Sequence, residues 1–304
     1  MNAGAKSLGN VLLLGARGML GRELAERLVA RRDAGTVDAF TGWDIDDLDI
    51  CAADAVAPAV GRLQPDVVIN CAAYTDVDGC ESNADTAMAV NGAAAGHVAR
   101  ACAACGALCV HIGTDFVFDG AGTRPYRPDD APHPLSVYGR SKLAGERAVV
   151  DAAGAHLIVR TSWLFGRHGR NFVEAILARA EQGEPLRVVD DQVGRPTHAG
   201  DLADALLRLI DCGARGVYHF ANAGACSWHA FAERIVALAG CAVPVARITS
   251  AELNRPAPRP AYSVLDTGAY EDLTGATPAD WREALTRYLE ARKGATQEAG
   301  VTKR

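Results

Sequence analysis

The sequence predicts an α/β protein built on a doubly wound parallel sheet. Two observations carry that prediction. Short apolar runs alternate with helix-like segments along most of the chain. A glycine-rich turn also joins the first apolar run to the first helix.

Composition fits this class and excludes others. A chain of 304 residues can bury a large core, and 49% hydrophobic with 22% charged residues is a globular balance. The net charge of −6 leaves no basic footprint for nucleic acid or an anionic membrane. No apolar run reaches the roughly 18 residues of a membrane span. Met1 to Gly9 lacks the apolar core of a secretory signal. Nine cysteines, an odd number without framework spacing, read as reduced thiols in the cytoplasm. His97, Cys102, Cys105, Cys109 and His111 are close in sequence. Cys102 and Cys105 fall on a helical run, however, and Cys109 and His111 on the next strand, so no metal site is expected.

Asn10 to Leu14 reads as a buried strand. Gly15-Ala16-Arg17-Gly18-Met19-Leu20-Gly21 follows, then an amphipathic helix to about Arg31. Strand, Gly-x-x-Gly-x-x-Gly, helix is a dinucleotide-binding turn. Its glycines let the backbone approach a pyrophosphate, and the helix N-terminus offers free N–H groups. Val37 to Thr41 is the second strand. Asp44 lies just past it, at the distance from the glycines where a carboxylate holds the adenine ribose. Asp49 is placed to cap a helix over 52–63. Asp66 to Asn70 is the third strand, and Ala72, Ala73 and Tyr74 leave it with side chains small enough for a flat cofactor. An Ala-rich helix over 84–105 and a strand over 107–112 precede Thr114 and Asp115.

A long Gly/Pro-rich loop runs to Pro134, which favours a functional segment. Tyr138-x-x-x-Lys142 then opens a helix, and one turn brings both side chains to one face. A phenol holds its proton to about pH 10, and a nearby ammonium lowers that value. The pair can therefore exchange a proton with a substrate oxygen. His156 to Thr161 is a strand ending near Trp163. Helices follow over 171–181, 201–209, 228–239 and 280–293, with strands over 186–190 and 216–220. Ser227 is placed to cap the third of these helices. Residues 253–262 read as irregular and 294–304 as a disordered tail. In a doubly wound sheet the glycine turn, Ala72, Thr114 and Trp163 all sit at strand C-termini, and so converge on one crevice flanked by Tyr138 and Lys142.

The glycine turn, Thr114-Asp115 and Tyr138-x-x-x-Lys142, in this order, resemble an extended short-chain dehydrogenase/reductase of the Rossmann type. Several stretches are more specific. They are Asn70-Cys71-Ala72-Ala73-Tyr74-Thr75-Asp76-Val77-Asp78, Thr114 to Gly120, Arg160 to Gly166, Asn171-Phe172-Val173 and Asp191 to Thr197. They resemble the dTDP-4-dehydrorhamnose reductase family from about Asn10 to about Lys293.

The resemblance implies reduction of the 4-keto group of dTDP-4-dehydro-L-rhamnose in dTDP-rhamnose (cell-surface polysaccharide) biosynthesis. Tyr138 is then the general acid, Lys142 holds the nicotinamide ribose and lowers the Tyr138 pKa, and Thr114 hydrogen-bonds the keto oxygen. Cofactor contacts are expected from Gly15, Arg17, Gly18, Met19, Leu20, Gly21, Asp44, Asp49, Ile50, Ala72, Ala73, Tyr74, Tyr138 and Lys142. Sugar contacts are expected from Thr114, Asp115, Trp163, Asn171 and Arg195. Asp44 favours NADH, whereas Arg17 suits the 2′-phosphate of NADPH; the expectation is NADPH with NADH also used. The resemblance further allows a homodimer with Mg²⁺ at its contact, with no carboxylate of this chain assigned to it. Residues 9–165 form the expected dinucleotide-binding domain, to which later segments return, and 166–293 a smaller C-terminal substrate-binding lobe. Two alternatives stay open: another nucleotide-sugar 4-ketoreductase or epimerase, and a non-catalytic dinucleotide-binding regulatory subunit.

Overall fold

The computed structural model describes residues 7–301 apart from residue 153, with side chains as far as residue 294. In chain order the elements begin with β1 Asn10–Leu14, α1 Met19–Asp33, β2 Ala39–Trp43, α2 Ala53–Leu63, β3 Val67–Asn70, α3 Val77–Ser82 and α4 Ala84–Ala87. A π-helical turn at Met88–Ala93 carries α4 into α5 Ala94–Cys105, and β4 Leu108–Thr114 follows. After the long loop come α6 Val137–Asp151, β5 His156–Thr161, β6 Leu164–Phe165, α7 Phe172–Glu181 and β7 Leu186–Val189. Next are β8 Val193–Gly194, β9 Thr197–His198, α8 Ala199–Asp211, β10 Gly216–His219, β11 Cys226–Ser227 and α9 Trp228–Ala239. The last are β12 Val245–Ile248, α10 Ser250–Leu253, α11 Gly268–Thr274 and α12 Trp281–Val301.

The main sheet has the order β10-β5-β4-β3-β1-β2, with every neighbouring pair parallel. The chain leaves β1 for β2 on one side and returns to β3 on the other. That switch opens a crevice beyond the C-terminal ends of β1 and β3, where open α/β sheets take ligands. The central strands are apolar on both faces because both are covered. Val11 and Leu13 face α1 and α8, while Leu12 and Leu14 face α2 and α5. Leu24 and Leu28 of α1 pack with Leu202 and Leu206 of α8. Arg27–Asp204 and Arg31–Asp211 pairs flank them at 2.5 and 2.7 Å. Such half-exposed pairs contribute at most about 1 kcal/mol each, so the leucines carry the contact.

A second core collects Phe165, Val173, Leu177, Phe231, Trp281, Leu285 and Tyr288 from β6, α7, α9 and α12. Three short strand pairs, β7 with β12, β8 with β11 and β6 with β9, accompany it. Ser227 caps α9 as the sequence predicts, its hydroxyl accepting from Ala230 N at 3.1 Å. Asp49 does not cap α2. It accepts from Cys51 N at 2.9 Å in the turn before the helix, which starts without a side-chain cap. The two-residue strands and α3, α10 and α11 are absent from the sequence reading, being too short for a periodic signal. α12 continues past Lys293 to Val301 through Ala, Gln and Glu residues that favour helix, where the sequence suggests a disordered tail. Residues 302–304 lie outside the described residues. No helix among the described residues is long and apolar enough to cross a membrane.

Candidate active site

The turn from β1 to α1 is tight enough that only hydrogen fits at its glycines. A Cβ on Gly15 (φ +76°) would stand 2.8 Å from Ala72 N, and one on Gly21 would stand 2.1 Å from Gly15 O. α1 begins at Gly18 without a side-chain cap, which leaves its first-turn N–H groups for an anion. Past β2, Asp44 accepts from Arg17 N and Ile45 N at 2.8 and 2.9 Å. The Arg17 guanidinium lies 3.6 Å from Asp44 and 2.6 Å from Asp46. Burial pushes the Asp44 carboxyl up, but the Arg17 and Ile45 N–H bonds outweigh it and hold the group low. A chamber of about 310 Å³ opens here, walled by Trp43, Leu48, Asp49, Ile50, Ala72, Ala73 and Val90. Apolar walls with a carboxylate at one end fit an adenosine.

A second chamber of about 460 Å³ shares Gly15, Gly18, Cys71, Ala72 and Ala73 with the first. Met19, Leu20, Gly21, Thr114, Asp115, Tyr138, Lys142 and Trp163 line it, so the ends of β1, β3, β4 and β5 meet α6 there. Several contacts aim α6. Ser136 caps it by accepting from Gly139 N at 3.1 Å, and Val137 N donates to Glu81 of α3 at 2.8 Å. Glycines allow close approach: a Cβ on Gly139 would lie 2.2 Å from Phe116 O, and one on Gly145 2.0 Å from Asn91 O. Asn91 sits in the π turn, a feature common at functional sites. It accepts from Tyr74 N at 2.8 Å and donates to Tyr74 O and Ser141 Oγ at 2.9 and 3.0 Å. Ser141 in turn donates to Tyr138 O at 2.8 Å.

The Thr114 hydroxyl donates to Asp115 Oδ1 at 3.1 Å, accepts from Phe116 N at 3.2 Å and hydrogen-bonds the Tyr138 phenol. Ser263 donates to Asp115 Oδ2 at 2.6 Å, so both oxygens of that buried carboxyl are engaged. Burial pushes Asp115 up to about 6 against these hydrogen bonds. The sequence reading has Lys142 drawing the Tyr138 pKa down. In the structure burial pushes it well above its ordinary value, with the Thr114 bond opposing and Asp115 reinforcing. Burial pushes Lys142 down to about 8, and Glu146, one turn on, opposes that shift. Both Glu146 oxygens accept from Arg160, at 2.7–3.1 Å. Arg160 also reaches Pro128 O at 3.4 Å and His219 Nε2 at 3.5 Å, which ties the long loop to the catalytic helix. Burial and the Arg160 charge push His219 down to about 3, so it is neutral, with Nδ1 donating to Tyr126 O at 3.0 Å.

Not every expected contact faces the cleft. Tyr74 turns its hydroxyl toward Gly79 of α3, and Thr75 lines the chamber instead. Asn171 caps α7, accepting from Glu174 N at 3.2 Å and donating to Gly166 O at 2.9 Å, which occupies its amide. Arg195 reaches Thr267 Oγ1 at 3.4 Å, and burial lowers its pKa against Asp266 and Glu271. Trp163 (φ +47°) stacks on Trp228 at 3.6 Å and 8°. It also divides the second chamber from a third of about 330 Å³, walled by Phe116, Phe172, Trp228 and the arginines 179, 187, 255 and 259. The sequence reading missed Asn91, Ser141, Ser263 and these arginines. A lone Asn in an Ala-rich helical run was the available signal for Asn91, and arginines in a proline-rich loop for the third chamber. His97 Nδ1 meets Ile50 O at 3.1 Å and Cys105 donates to Ala101 O at 3.3 Å. Among the described residues no group of three or more His, Cys, Asp or Glu converges as for a metal.

The family model described as RmlD substrate binding domain matches residues 9–293. A dTDP-4-dehydrorhamnose reductase of Streptomyces griseus is 44% identical over 288 residues, covering 92% of this chain and 93% of that protein. Among solved structures, a dTDP-4-dehydrorhamnose reductase of Clostridium acetobutylicum matches with a TM-score of 0.89 at 39% identity, covering 93% of this chain and 99% of that one. One from Bacillus anthracis, solved in complex with NADP, matches with a TM-score of 0.88 at 36% identity, covering 94% and 99%.

Proposed function

The chain belongs to the dTDP-4-dehydrorhamnose reductase family, and on that premise we propose how its cleft divides the work. The protein is an NAD(P)H-dependent oxidoreductase that reduces dTDP-4-dehydro-L-rhamnose to dTDP-L-rhamnose. The first chamber takes the adenosine, the glycine turn the pyrophosphate, and the second chamber the nicotinamide beside the sugar. The third takes the nucleotide of the sugar, with Trp163 and Trp228 against flat groups and arginines for the diphosphate. Residues 9–165, with α8 and β10, serve the cofactor; 166–293 serve mainly the substrate. The nine free thiols suit a reducing cytoplasm.

Bound NAD(P)H supplies the hydride for carbon 4 of the sugar. Tyr138, kept protonated by burial, gives its proton to the carbonyl oxygen as negative charge develops there. The Thr114 hydroxyl rotates from Asp115 to that oxygen as a second donor, while Ser263 keeps Asp115 engaged. One such donor is worth about 2.7–4 kcal/mol in the transition state. Lys142, cationic below about pH 8, holds the ribose hydroxyls and balances the phenolate charge once the proton has left. Asp115 is a bracket for Thr114 rather than a free sugar ligand.

The observation that carries this reading is the meeting of Tyr138, Thr114 and Lys142 in a buried chamber continuous with the glycine turn. The test is to supply dTDP-4-dehydro-6-deoxy sugars, with and without a 3,5-epimerase, and follow NADPH absorbance. Consumption that requires the 4-keto sugar supports it. Sugar isomerisation without net NADPH loss would make the protein an epimerase, and no turnover would favour a regulatory subunit.

A further inference from the structure

The third chamber is built around a carboxylate that reaches it from the other end of the molecule. Asp78 lies in the first turn of α3, next to the cofactor half of the cleft. Arg259 grips it as a fork, Nη1 to Oδ1 and Nη2 to Oδ2, both at 3.0 Å. Arg255 Nη1 donates to Oδ2 at 3.2 Å and Ala257 N to Oδ1 at 3.2 Å. Arg259 Nη1 also donates to Ala257 O at 2.8 Å, so its plane is fixed on two sides. Both arginines wall the chamber. The Arg259 and Asp78 side chains are only 20% and 21% exposed, so solvent competes weakly with the fork. Burial pushes the Asp78 carboxyl up, but the Arg259 hydrogen bonds outweigh it and keep the group ionised.

We propose that Asp78 is a positioning residue for the substrate's diphosphate: it pre-orients Arg259 and Arg255 as an anion clamp on the third chamber. This rests on the reading of that chamber as the nucleotide subsite. Charge and geometry both support it. Two guanidinium groups against one carboxylate leave a net positive charge, and Arg179 and Arg187 add to it from the same chamber. With its Nη atoms on Asp78, Arg259 keeps its Nε–H and an outer Nη–H for a phosphate oxygen. An arginine already held in place loses little rotamer freedom when the anion arrives. The same helix also holds the catalytic helix, through Glu81 and Val137 N at 2.8 Å. Asp78 and Glu81 therefore join the clamp and the Tyr138 helix on one rigid turn of chain.

The test uses full-length protein and two probes, dTDP and thymidine, with binding read from quenching of the Trp163–Trp228 stack and thermal stability measured in parallel. Asp78→Asn keeps the volume and one acceptor but loses the charge and the fork. Freeing two long side chains should weaken dTDP binding about tenfold. Thymidine binding, the KM for NADPH and kcat should stay within twofold. Arg259→Lys keeps a charge without the fork and should match it, and the double variant should be no worse than either single one. Asp78→Glu should recover part of the loss. Unchanged or tighter dTDP binding in Asp78→Asn, or equal loss of both probes, would overturn the proposal. A fallen melting temperature with unchanged dTDP affinity would make Asp78 only a staple between the two halves. If the wild-type protein binds NADPH but not dTDP, the nucleotide-subsite reading fails instead.

Discussion

Glu146→Gln tests whether the fold supports the catalytic lysine through a buried ion pair. Glu146 and Arg160 are 4% and 5% exposed, with three guanidinium contacts at 2.7–3.1 Å. Glutamine keeps the volume but leaves the Arg160 charge buried without its counter-ion. Breaking such a pair costs about 3–5 kcal/mol. At about 2 °C per kcal/mol for a chain this long, the melting temperature should fall by about 6–10 °C. A second effect separates support of catalysis from support of the fold. The Glu146 charge opposes the lowering of the Lys142 pKa to about 8, so its removal lowers that pKa further. The alkaline limb of the kcat/KM profile should then move to lower pH. The assays are thermal unfolding and NADPH oxidation from pH 6 to 10. A melting temperature within 2 °C of wild type, or an unmoved limb, would refute the reasoning.

Three further outcomes are expected. Arg17 stands over Asp44 and Asp46, so Arg17→Ala should raise the KM for NADPH far more than that for NADH; equal changes would remove Arg17 from the 2′ position. Trp163→Ala should raise the KM for the sugar nucleotide and, through loss of the Trp228 stack, destabilise the fold by about 1 kcal/mol beyond the lost burial; an unchanged KM would leave Trp163 a packing residue. Lys142→Met should lower turnover and NADPH affinity while raising the melting temperature at pH 7. The folded-state pKa of Lys142 lies below its unfolded value of 10.5. Its charge therefore opposes folding below about pH 8, and the penalty fades as pH rises from about 8 to about 10.5. The gain from methionine should disappear near pH 11.

The parallel sheet was legible because β1, β3, β4 and β5 are apolar on both faces and end in small or polar residues at the crevice. Gly15, Thr114 and Tyr138 were legible for the same reason: each follows a strand or opens a helix, so its neighbours report its place. The third chamber was not. Asp78 and Arg259 are 181 residues apart, and their pairing depends on how a proline-rich loop lies against α3, which no local pattern encodes. Asn171 and Arg195 matched family stretches, yet their side chains serve a helix cap and a buried contact with Thr267. A motif marks where the backbone goes, and the direction of a side chain within it needs tertiary contacts. The Tyr138 pKa was misjudged similarly. Spacing put Lys142 beside it, but burial decides the sign, and burial is a property of the folded chamber.

Tyr138→Phe bears on the chemistry itself. The change removes one hydroxyl and little volume, so the melting temperature and the affinity for NADPH should stay at wild-type values. Single-turnover reduction of dTDP-4-dehydro-L-rhamnose should slow by about 10²–10⁴-fold, the usual contribution of a general acid. A Tyr138→Phe enzyme that reduces the 4-keto sugar within twofold of the wild-type rate would contradict Tyr138 as the proton donor.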